Sequence, residues 1–528
     1  MQKNISLKLL PAEAANETVI KKYIAQSEAI NIAAITGYTI IKQSIDARQK
    51  QPYIHFTVKA FINEPYQQRE LPDFSFKEVG RSPYKVIIIG AGPAGLFAAL
   101  KLIEAGVKPI ILERGKDVRA RRRDLAQLNK EGEVNPESNY CFGEGGAGTY
   151  SDGKLYTRSS KRGDVDRILQ LFVHFGAEEK ILYEAHPHIG TNKLPGIITA
   201  MRKMIKDYGG EIHFEKKAID FTVKDEKIVG IKTDDGNSFE ADAFILATGH
   251  SARDIFQLLH EKKILIEAKD FALGVRVEHP QSLIDTAQYH CNTRGEFLPP
   301  ASYSLVQQVE GKGVFSFCMC PGGIIAPAAT SPGELVVNGW SPSKRNNPYA
   351  NSGIVVSVSQ QDALNYFKRS NSKISNDPLL LMHFQQAIEQ KAFNAGGGKF
   401  VAPAQRMIDF TSNKISSSLP GCSYLPGVHS TELNNVLPSF IYKSLQTAFK
   451  EFGKKMKGYY TNEAIVVATE SRTSSPVRIP RNKETLQHPQ LKNFYPCGEG
   501  AGYAGGIVSA AMDGERVVDK IISVLKNV

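Results

Sequence analysis

The sequence has few of the features that mark secreted, disulfide-stapled or membrane-spanning proteins. Six cysteines in 528 residues are too few for a disulfide scaffold, which predicts a reducing, cytoplasmic environment. Residues 1–16 lack the apolar core of a signal peptide. The apolar run at 86–100 is broken by three glycines and is too short to cross a bilayer. We therefore expect a cytoplasmic protein without a membrane partner.

Two further absences limit the kinds of binding site that we expect. His186 and His188 form a His-x-His pair, but no third ligand stands near them in the sequence, so we predict no metal site. No second Gly-x-Gly-x-x-Gly follows an apolar strand, because the glycines at 396–398 lack both the spacing and the strand. A dedicated NAD(P)-binding domain is therefore not expected.

The charge is moderately basic, with 65 Lys and Arg against 54 Asp and Glu, a net charge of +11. This balance permits an anionic small-molecule substrate or a nucleic acid, and it proves neither. The densest basic run, from Arg119 to Arg123, is typical of a solvated helix face. The alternative is that it supports a phosphate or carboxylate near a bound cofactor.

The most informative stretch begins with the β-branched run Val86–Ile89, which predicts a buried parallel strand. A Gly-x-Gly-x-x-Gly turn follows, and its three glycines allow a tight turn, close approach of a pyrophosphate and close helix packing. A proline in the first helical turn fits the same interpretation. The predicted pyrophosphate-binding residues are Gly90, Gly92, Pro93, Ala94 and Gly95.

An acidic residue stands where a dinucleotide site needs one. The next apolar strand, 109–112, ends at Glu113, which lies 18 residues after Gly95. At this distance a carboxylate is expected to bind the ribose hydroxyls, which favours FAD or NAD over NADP. Arg114 follows directly, is counted among the cofactor-binding candidates, and makes that preference less sharp.

A second glycine-rich segment, 141–154, is too flexible for a helix or strand. Such a loop can lay successive backbone N–H groups against an extended ligand, with polar side chains as additional contacts; the alternative is a flexible surface loop. The candidate cofactor-binding residues here are Gly146, Gly148, Ser151, Asp152, Gly153 and Lys154.

Two more strand ends complete the predicted cofactor site. The buried strand at 243–246 closes on small residues, which lets a nucleotide lie against its carboxyl end. A glycine-rich turn near the C-terminus precedes a helix over 508–526, whose N-terminus would face negative charge on a reduced flavin. The candidate residues at these two places are Ala247, Thr248, Gly249, Gly498, Glu499, Gly505, Gly506 and Ile507.

These elements predict an α/β protein whose Rossmann-like FAD-binding domain is assembled from discontinuous segments. We expect a small N-terminal α+β module of β-α-β-β order, which either docks onto the rest or binds a partner. We also expect an inserted α+β substrate domain. The predicted boundaries are 1–80 for the module, 81–249 and 491–528 for the two FAD-binding parts, and 250–490 for the substrate domain.

Together these motifs resemble the two-part FAD fold of the glutathione-reductase-like flavoproteins. More narrowly, the chain resembles an uncharacterised FAD-dependent dehydrogenase family related to the HI-0933-like flavoproteins. The matching stretches are residues 44–48, 145–154, 249–254, 318–323, 402–406, 470–476 and 498–506. The resemblance covers nearly the whole chain and implies FAD and an oxidoreductase activity, but it names no substrate.

Three residues are candidates for catalysis. Arg472 lies with Glu470 in a dense polar segment and is predicted to pair with a substrate carboxylate; the alternative is a structural Arg–Glu pair. Cys318 and Cys320 fall two residues apart on a predicted strand, so both sulfurs should project from one face. They would form a labile redox pair beside the flavin, or line the pocket as thiols, which is the outcome we favour.

The sequence therefore predicts a FAD-dependent oxidoreductase that passes a hydride or electrons between a small organic substrate and the flavin. One alternative is a flavin reductase driven by NAD(P)H, which would bind transiently as the electron donor. An alternative of another class is a nucleic-acid-associated flavoprotein, whose RNA binding would depend steeply on salt.

Overall fold

The N-terminal module is a three-stranded antiparallel sheet covered by helices. We describe residues 1–157, 163–369 and 377–526 of a computed structural model of the chain. The module contains β1 (Gln2–Leu9), α1 (Pro11–Ala14), α2 (Glu17–Glu28), β2 (Ile35–Asp46) and β3 (Tyr53–Ile62), with strand order β1-β3-β2. The predicted β-α-β-β order is confirmed. The helical segment is divided in two because the Asn16 side chain accepts a hydrogen bond from Val19 N and begins a new helix there.

The second unit is a five-stranded parallel sheet. It contains β4 (Lys85–Ile89), β5 (Lys108–Leu112), β6 (Glu211–His213), β10 (Ala243–Leu246) and β22 (Phe494–Pro496), in the order β22-β10-β4-β5-β6. The strand at 494–496 pairs in parallel with β10 although some 250 positions separate them. The chain therefore returns at its C-terminal end to complete the sheet, and the predicted Rossmann-like domain of discontinuous segments is confirmed.

Helices cover both faces of this sheet, as a buried parallel sheet requires. They are α3 (Pro93–Ala105), α4 (Val118–Glu131), α5 (Val165–His174), α6 (Leu194–Asp207), α7 (Arg253–Glu261) and α13 (Ile507–Leu525). Helices α3, α5, α6 and α13 lie in the apolar cluster on one face of the parallel sheet, whereas α7 shares the other face with a small antiparallel sheet. That sheet is formed by β7 (Ala218–Lys224), β8 (Lys227–Thr233) and β9 (Ser238–Phe239). Helices α3 and α13 pack closely. Gly514 allows this contact because a side chain at its position would overlap the carbonyl oxygen of Ala94.

The third unit is built on a seven-stranded mixed sheet of order β13-β14-β17-β12-β20-β18-β19. Its strands are β12 (Phe271–Pro280), β13 (Val306–Val309), β14 (Lys312–Cys320), β17 (Tyr349–Val358), β18 (Ala402–Arg406), β19 (Val428–Ser430) and β20 (Ile465–Glu470). Two short pairs flank it, β11 (Glu267–Ala268) with β21 (Val477–Arg478) and β15 (Ile324–Pro327) with β16 (Val337–Trp340). Its helices are α8 (Gln281–Tyr289), α9 (Gln360–Arg369), α10 (Leu380–Ala395), α11 (Met407–Thr411) and α12 (Ser439–Lys455).

The two faces of the seven-stranded sheet differ in chemistry. Val275, Ile354 and Val356 lie on one face in the apolar core beneath α10 and α12. Because strand side chains alternate, the other face carries the cross-strand neighbours Arg276 and Gly353 instead. Two buried charged residues of β12, Arg276 and Glu278, therefore share that second face. In the described part of the chain, none of the helices combines the length and apolar character needed to cross a membrane.

Candidate active site

The turn after β4 lies against the end of β10. Gly90 has a φ of +106°, and a Cβ there would stand 2.5 Å from the carbonyl oxygen of Ala247 and 3.2 Å from Thr248 Cα. Only glycine fits this backbone conformation and this space. A side chain at Gly95 would in turn overlap the carbonyl oxygen of Gly90. The structure thus brings the first predicted motif and the Ala247–Gly249 strand end together.

The glycine-rich loop packs on the same turn. A Cβ on Gly146 would lie 3.0 Å from Gly92 Cα, and Gly145 N donates a hydrogen bond of 2.8 Å to Ala91 O. Gly148 faces Pro93 and Ile507, at 3.4 and 3.3 Å from its Cβ position. The loop therefore joins the start of α3 to the start of α13.

The C-terminal turn closes the arrangement. A Cβ on Gly498 would lie 3.0 Å from Ala94 Cβ, and one on Gly500 would overlap the backbone of Gly249. Four sequence-distant segments therefore meet around the N-termini of α3 and α13, where backbone N–H groups lack helical acceptors. Within the described residues, a Cβ at Gly249, Gly505 or Gly506 would meet no atom within 4 Å. The space beside these glycines forms an open cradle.

Glu113 connects two of these segments. Its buried carboxylate accepts hydrogen bonds from Ala91 N and Gly115 N, both 2.8 Å, and from Gly143 N at 2.9 Å. An ionised carboxylate offers about four acceptor positions, so one remains for a ribose hydroxyl. Arg114 instead pairs with the carboxylates of Glu137 and Asp254, at 2.6 and 2.9 Å.

Two buried charged residues that the sequence analysis did not select hold the glycine-rich loop. Arg121, from the basic run, is fully buried and donates to the carbonyls of Asn139 and Glu144, both at 2.8 Å. The Glu144 carboxylate accepts from Val118 N at 2.8 Å and pairs with Arg202 at 3.1 Å, while burial raises its pKa. Arg121 is therefore part of the protein interior, whereas Arg119, Arg122 and Arg123 are exposed, as a solvated helix face predicts. The glycines on both sides of Glu144 in the sequence are the pattern that could have identified this glutamate as a loop-holding residue.

The polar end of the loop reaches the third unit. Ser151 Oγ donates to Gly148 O at 2.7 Å, and Gly153 N donates to Ser151 Oγ at 3.0 Å. Lys154 Nζ donates to Met319 O and lies 4.0 Å from Cys320 Sγ. The structure thus places two predicted site residues, Lys154 and Cys320, side by side.

The prediction that Cys318 and Cys320 share one face of a strand is wrong. A β-bulge falls between Phe317 and Cys320, where β14 carries one residue more than its partner β17. Cys318 adopts a left-handed φ of +45° and is exposed, whereas Cys320 is buried. Both thiols are free, and the bulge turns them in different directions.

A buried ion pair lies behind Cys320. Arg276 and Glu470 are both inaccessible to solvent and join at 2.9 Å. Arg276 also donates to Cys318 O at 2.7 Å and approaches Cys320 Sγ to 3.9 Å. Burial raises the pKa of Glu470. Arg276 was not among the predicted site residues, because nothing near it in the sequence indicates its partners.

Arg472 belongs to a different buried network. Its guanidinium pairs with Glu389 at 3.1 Å and Glu334 at 3.3 Å, and it donates to Thr330 at 2.8 Å. The alternative of a structural Arg–Glu pair is therefore what the structure shows, with Glu389 and Glu334 as the partners, whereas the nearby Glu470 is bound to Arg276. Arg253, four residues after Gly249, joins the same two glutamates at 2.8 and 3.0 Å. This network ties the start of α7 to the third unit, and a substrate-binding role of Arg472 stays a prediction.

Glu499 faces a histidine. Its Oε1 lies 3.7 Å from His250 Nε2, next to the strand end at Gly249. Burial raises the pKa of Glu499 to about 7 and lowers the pKa of His250 to about 4. At neutral pH the imidazole is therefore uncharged, and the carboxyl group can hold or release a proton near the cradle.

An open cleft of 610 Å³ lies at one side of the seven-stranded sheet. Its lining includes Ala272, Phe315, Phe317, Ser357, Thr473 and Ser474. Ser475, next in the chain, donates from Oγ to Gly500 O at 3.2 Å. Ser474 of the cleft lining is therefore next in sequence to a residue that is hydrogen-bonded to the C-terminal glycine turn.

These residues fit a bound FAD. The cradle beside Gly249, Gly505 and Gly506 has room for a ligand, the helix N-termini offer unpaired N–H groups and positive dipole ends, and Glu113 retains an acceptor position. The third unit closes the site with a polar face.

Comparisons with known proteins agree with this geometry. Residues 84–272 match the pyridine nucleotide-disulphide oxidoreductase family, and residues 270–473 match the FAD-dependent protein, C-terminal domain-like family. Residues 1–61 match a domain of unknown function. An uncharacterized protein of Clostridium beijerinckii is 41% identical over 522 residues, covering 96% of each chain.

Solved structures are more distant. The halogenase PltM is 12% identical, with a TM-score of 0.37, covering 84% of this chain and 70% of its own. A geranylgeranyl bacteriochlorophyll reductase-like protein of Thermoplasma acidophilum is also 12% identical, with a TM-score of 0.35 and coverage of 84% and 79%.

The fold and the family matches define a flavoprotein of the FAD-dependent oxidoreductase class, with an FAD-binding domain built from separate segments. Within that class the chain belongs to the uncharacterised FAD-dependent dehydrogenase family that the sequence motifs had indicated, together with its Clostridium relative.

Proposed function

We propose that this protein is a dehydrogenase or reductase that passes a hydride, or an electron pair, between a small organic substrate and FAD. The observation that supports the proposal is that the glycine turns at Gly92, Gly146, Gly249 and Gly500 meet around one cradle. Ser475, which bonds to Gly500 O, directly follows a residue that lines the open cleft. When bound, the flavin supplies the hydride-accepting and hydride-donating chemistry.

The protein's own groups position and tune that cofactor. The N–H groups at the start of α3 bind the pyrophosphate, and Glu113 binds the ribose. The N-terminus of α13 stabilises negative charge on the reduced ring. Glu499, whose pKa is raised by burial to about 7, holds a proton close to the same turn. These roles need no covalent step by the protein.

The cleft is the proposed substrate site. Phe315 and Phe317 give it an apolar floor, while Ser357, Thr473 and Ser474 give it polar edges. We propose that Cys320 lines the inner end of the substrate path without cycling as a disulfide, since the bulge separates it from Cys318.

Anaerobic spectroscopy tests the function. The purified protein should be yellow, with FAD released on denaturation, and one class of compounds in a panel of hydroxy acids, amino acids and amines should bleach the visible flavin bands. NADH and NADPH form a separate arm of the panel. Bleaching by the nicotinamides alone would favour the flavin-reductase alternative, and a protein without FAD would overturn the proposal.

A dithionite titration tests the cysteines. Two electrons per FAD in the wild type and in Cys318→Ser are expected, because only the flavin should accept them. Four electrons in the wild type and two in the variant would show a disulfide that cycles with the flavin, contrary to our proposal.

A further inference from the structure

A cluster of two cations and one carboxylate lies where the glycine-rich loop meets the third unit. Arg345 Nη2 pairs with Asp152 Oδ2 at 2.7 Å, and Lys154 Nζ lies 3.9 Å from the same oxygen. Asp152 is 4% exposed, whereas the Lys154 side chain is 36% exposed. The cluster is thus buried at its carboxylate and open at its lysine.

The hydrogen-bonding capacity of this cluster is not used up. Lys154 has three N–H donors, of which one is directed to Met319 O. Among the residues the structure describes, Arg345 Nε and Asp152 Oδ1 are buried and have no hydrogen-bond partner. A buried polar group without a partner costs roughly 1–3 kcal/mol, so each such atom needs a ligand or a water.

The neighbouring titratable groups include one more carboxyl group, Glu184. It interacts electrostatically with Arg345, and burial raises its pKa. Burial, together with the charge of Arg345, lowers the pKa of His188 to about 4, so this imidazole is uncharged at neutral pH. Arg276 is matched by Glu470 at 2.9 Å. Within the described residues, Lys154 pairs with the carboxylate of Asp152 at 3.9 Å, a separation too long for a hydrogen bond.

We propose that Lys154, Arg345 and Asp152 form a recognition site for a small organic acid that carries a hydroxyl or ammonium group beside its carboxylate. Lys154 and Arg345 bind the carboxylate, and Asp152 Oδ1 accepts the hydrogen bond from the neighbouring donor. This inference rests on the proposed function and names its substrate class. It places recognition of the substrate's carboxylate at this cluster and not in the cleft, whose lining includes none of the three residues. It also transfers the anion-binding role first assigned to Arg472, whose guanidinium is enclosed by protein carboxylates.

The unsatisfied groups of the cluster differ in charge and in hydrogen-bonding role, so few kinds of ligand can satisfy all of them. A plain anion would satisfy the two cations and leave Asp152 Oδ1 without a partner, while a neutral diol would leave the cations without an anion. A ligand that places both groups on adjacent carbons satisfies all three side chains. Cys320 Sγ lies 4.0 Å from Lys154 Nζ, on the side of the cluster that faces the third unit.

Calorimetric titration of the FAD-loaded protein with glycolate, acetate and ethylene glycol tests this proposal without turnover. We expect glycolate to bind at least tenfold more tightly than acetate, and ethylene glycol not to bind. Lys154→Met should weaken glycolate binding at least tenfold, and Lys154→Arg should largely retain it. Lys203→Met, which removes an exposed lysine on α6, is the matched control and should change nothing.

Several outcomes would overturn the site. Equal binding of glycolate and acetate would exclude Asp152 as an acceptor, and unchanged binding by Lys154→Met with a normal melting temperature would exclude the lysine. Glycolate binding to the FAD-free protein alone would assign the cluster to the cofactor. Binding of glycolate without bleaching by any hydroxy or amino acid would uphold the site and contradict the proposed reaction, so the two failures are distinguishable.

Discussion

The two halves of the proposed site differ in the groups that form them, which are backbone atoms in one half and buried charged side chains in the other. The cofactor cradle is almost entirely backbone: Gly90, Gly92 and Gly95 act through the absence of a side chain. The facing unit is held by buried charges, with Arg276 bound to Glu470 and Arg472 to Glu389 at distances near 3 Å. A backbone cradle fails through steric overlap, whereas a charge network fails through an unpaired ion, so the two halves should respond differently to substitution.

The largest effect is expected where a buried ion loses its partner. Arg276→Met leaves the carboxylate of Glu470 unpaired in a site without solvent access. Breaking a buried pair from one side costs about 3–5 kcal/mol, and chemical denaturation of the FAD-bound protein measures it.

Two further variants sharpen this result. The double variant Arg276→Met, Glu470→Met removes both charges and should recover much of the lost stability. Arg48→Met removes an exposed guanidinium and should leave the unfolding transition unchanged. A double variant no more stable than the single one would mean that packing around Arg276, rather than its charge, holds the unit together.

In the cradle, neighbouring glycines should separate stability from cofactor binding. A Cβ at Gly95 would overlap the carbonyl oxygen of Gly90, whereas a Cβ at Gly92 would meet only Gly146 Cα, at 3.9 Å. Gly95→Ala should therefore destabilise the fold by about 2–3 kcal/mol through overpacking.

Gly92→Val serves as its counterpart. It should fold with near-normal stability and lose FAD, because its side chain occupies the space of the pyrophosphate. Melting temperature and the FAD content after gel filtration read out the two effects. Full FAD occupancy in Gly92→Val would place the pyrophosphate elsewhere.

The same contrast explains what the sequence could predict. Glycine spacing is local, so the turn at 90–95, the strand end at 247–249 and the turn at 498–506 could be predicted along with the parallel sheet. Arg276 and Glu470 lie 194 positions apart, and no local pattern joins them. The bulge at Cys318 could not be predicted for another reason. An alternating apolar pattern predicts a regular strand and gives no sign that one extra residue is inserted.

A smaller effect should appear as a pH dependence of stability that comes from a buried carboxyl group in the charged half. Burial raises the pKa of Glu278 from its ordinary 4.5 to about 7, although it accepts hydrogen bonds from Ser423 N and Oγ. The folded state therefore keeps the proton up to about pH 7, while the unfolded chain releases it near pH 4.5. The stability that Glu278 contributes is complete below pH 4.5 and is lost as the pH rises through 7.

Comparison with Glu278→Gln isolates this contribution. Between pH 6 and pH 8 the wild type should lose about 1 kcal/mol more stability than the variant, since glutamine has no proton to release. Urea unfolding at a series of pH values measures the difference. Parallel curves for the two proteins would mean that Glu278 is ionised throughout this range.

The smallest effect tests whether the backbone cradle also acts electrostatically. Gly505 lies just before α13 and faces open space, so Gly505→Asp should fold and bind FAD. A carboxylate there opposes negative charge on the reduced flavin, at roughly 0.3–2 kcal/mol for a helix terminus. For a two-electron couple this lowers the flavin potential by about 10–40 mV, measurable against dye standards.

Gly505→Asn separates charge from shape, because asparagine fills the same volume without a charge. Only the aspartate variant should lower the potential, and its shift should shrink at high salt as screening increases. Equal shifts in both variants would assign the effect to altered packing. If neither variant shifts the potential while FAD stays bound, the N-terminus of α13 does not face the reduced ring. The cradle would then hold the cofactor by steric fit and hydrogen bonds without an electrostatic contribution, unlike the half that is held by buried charges.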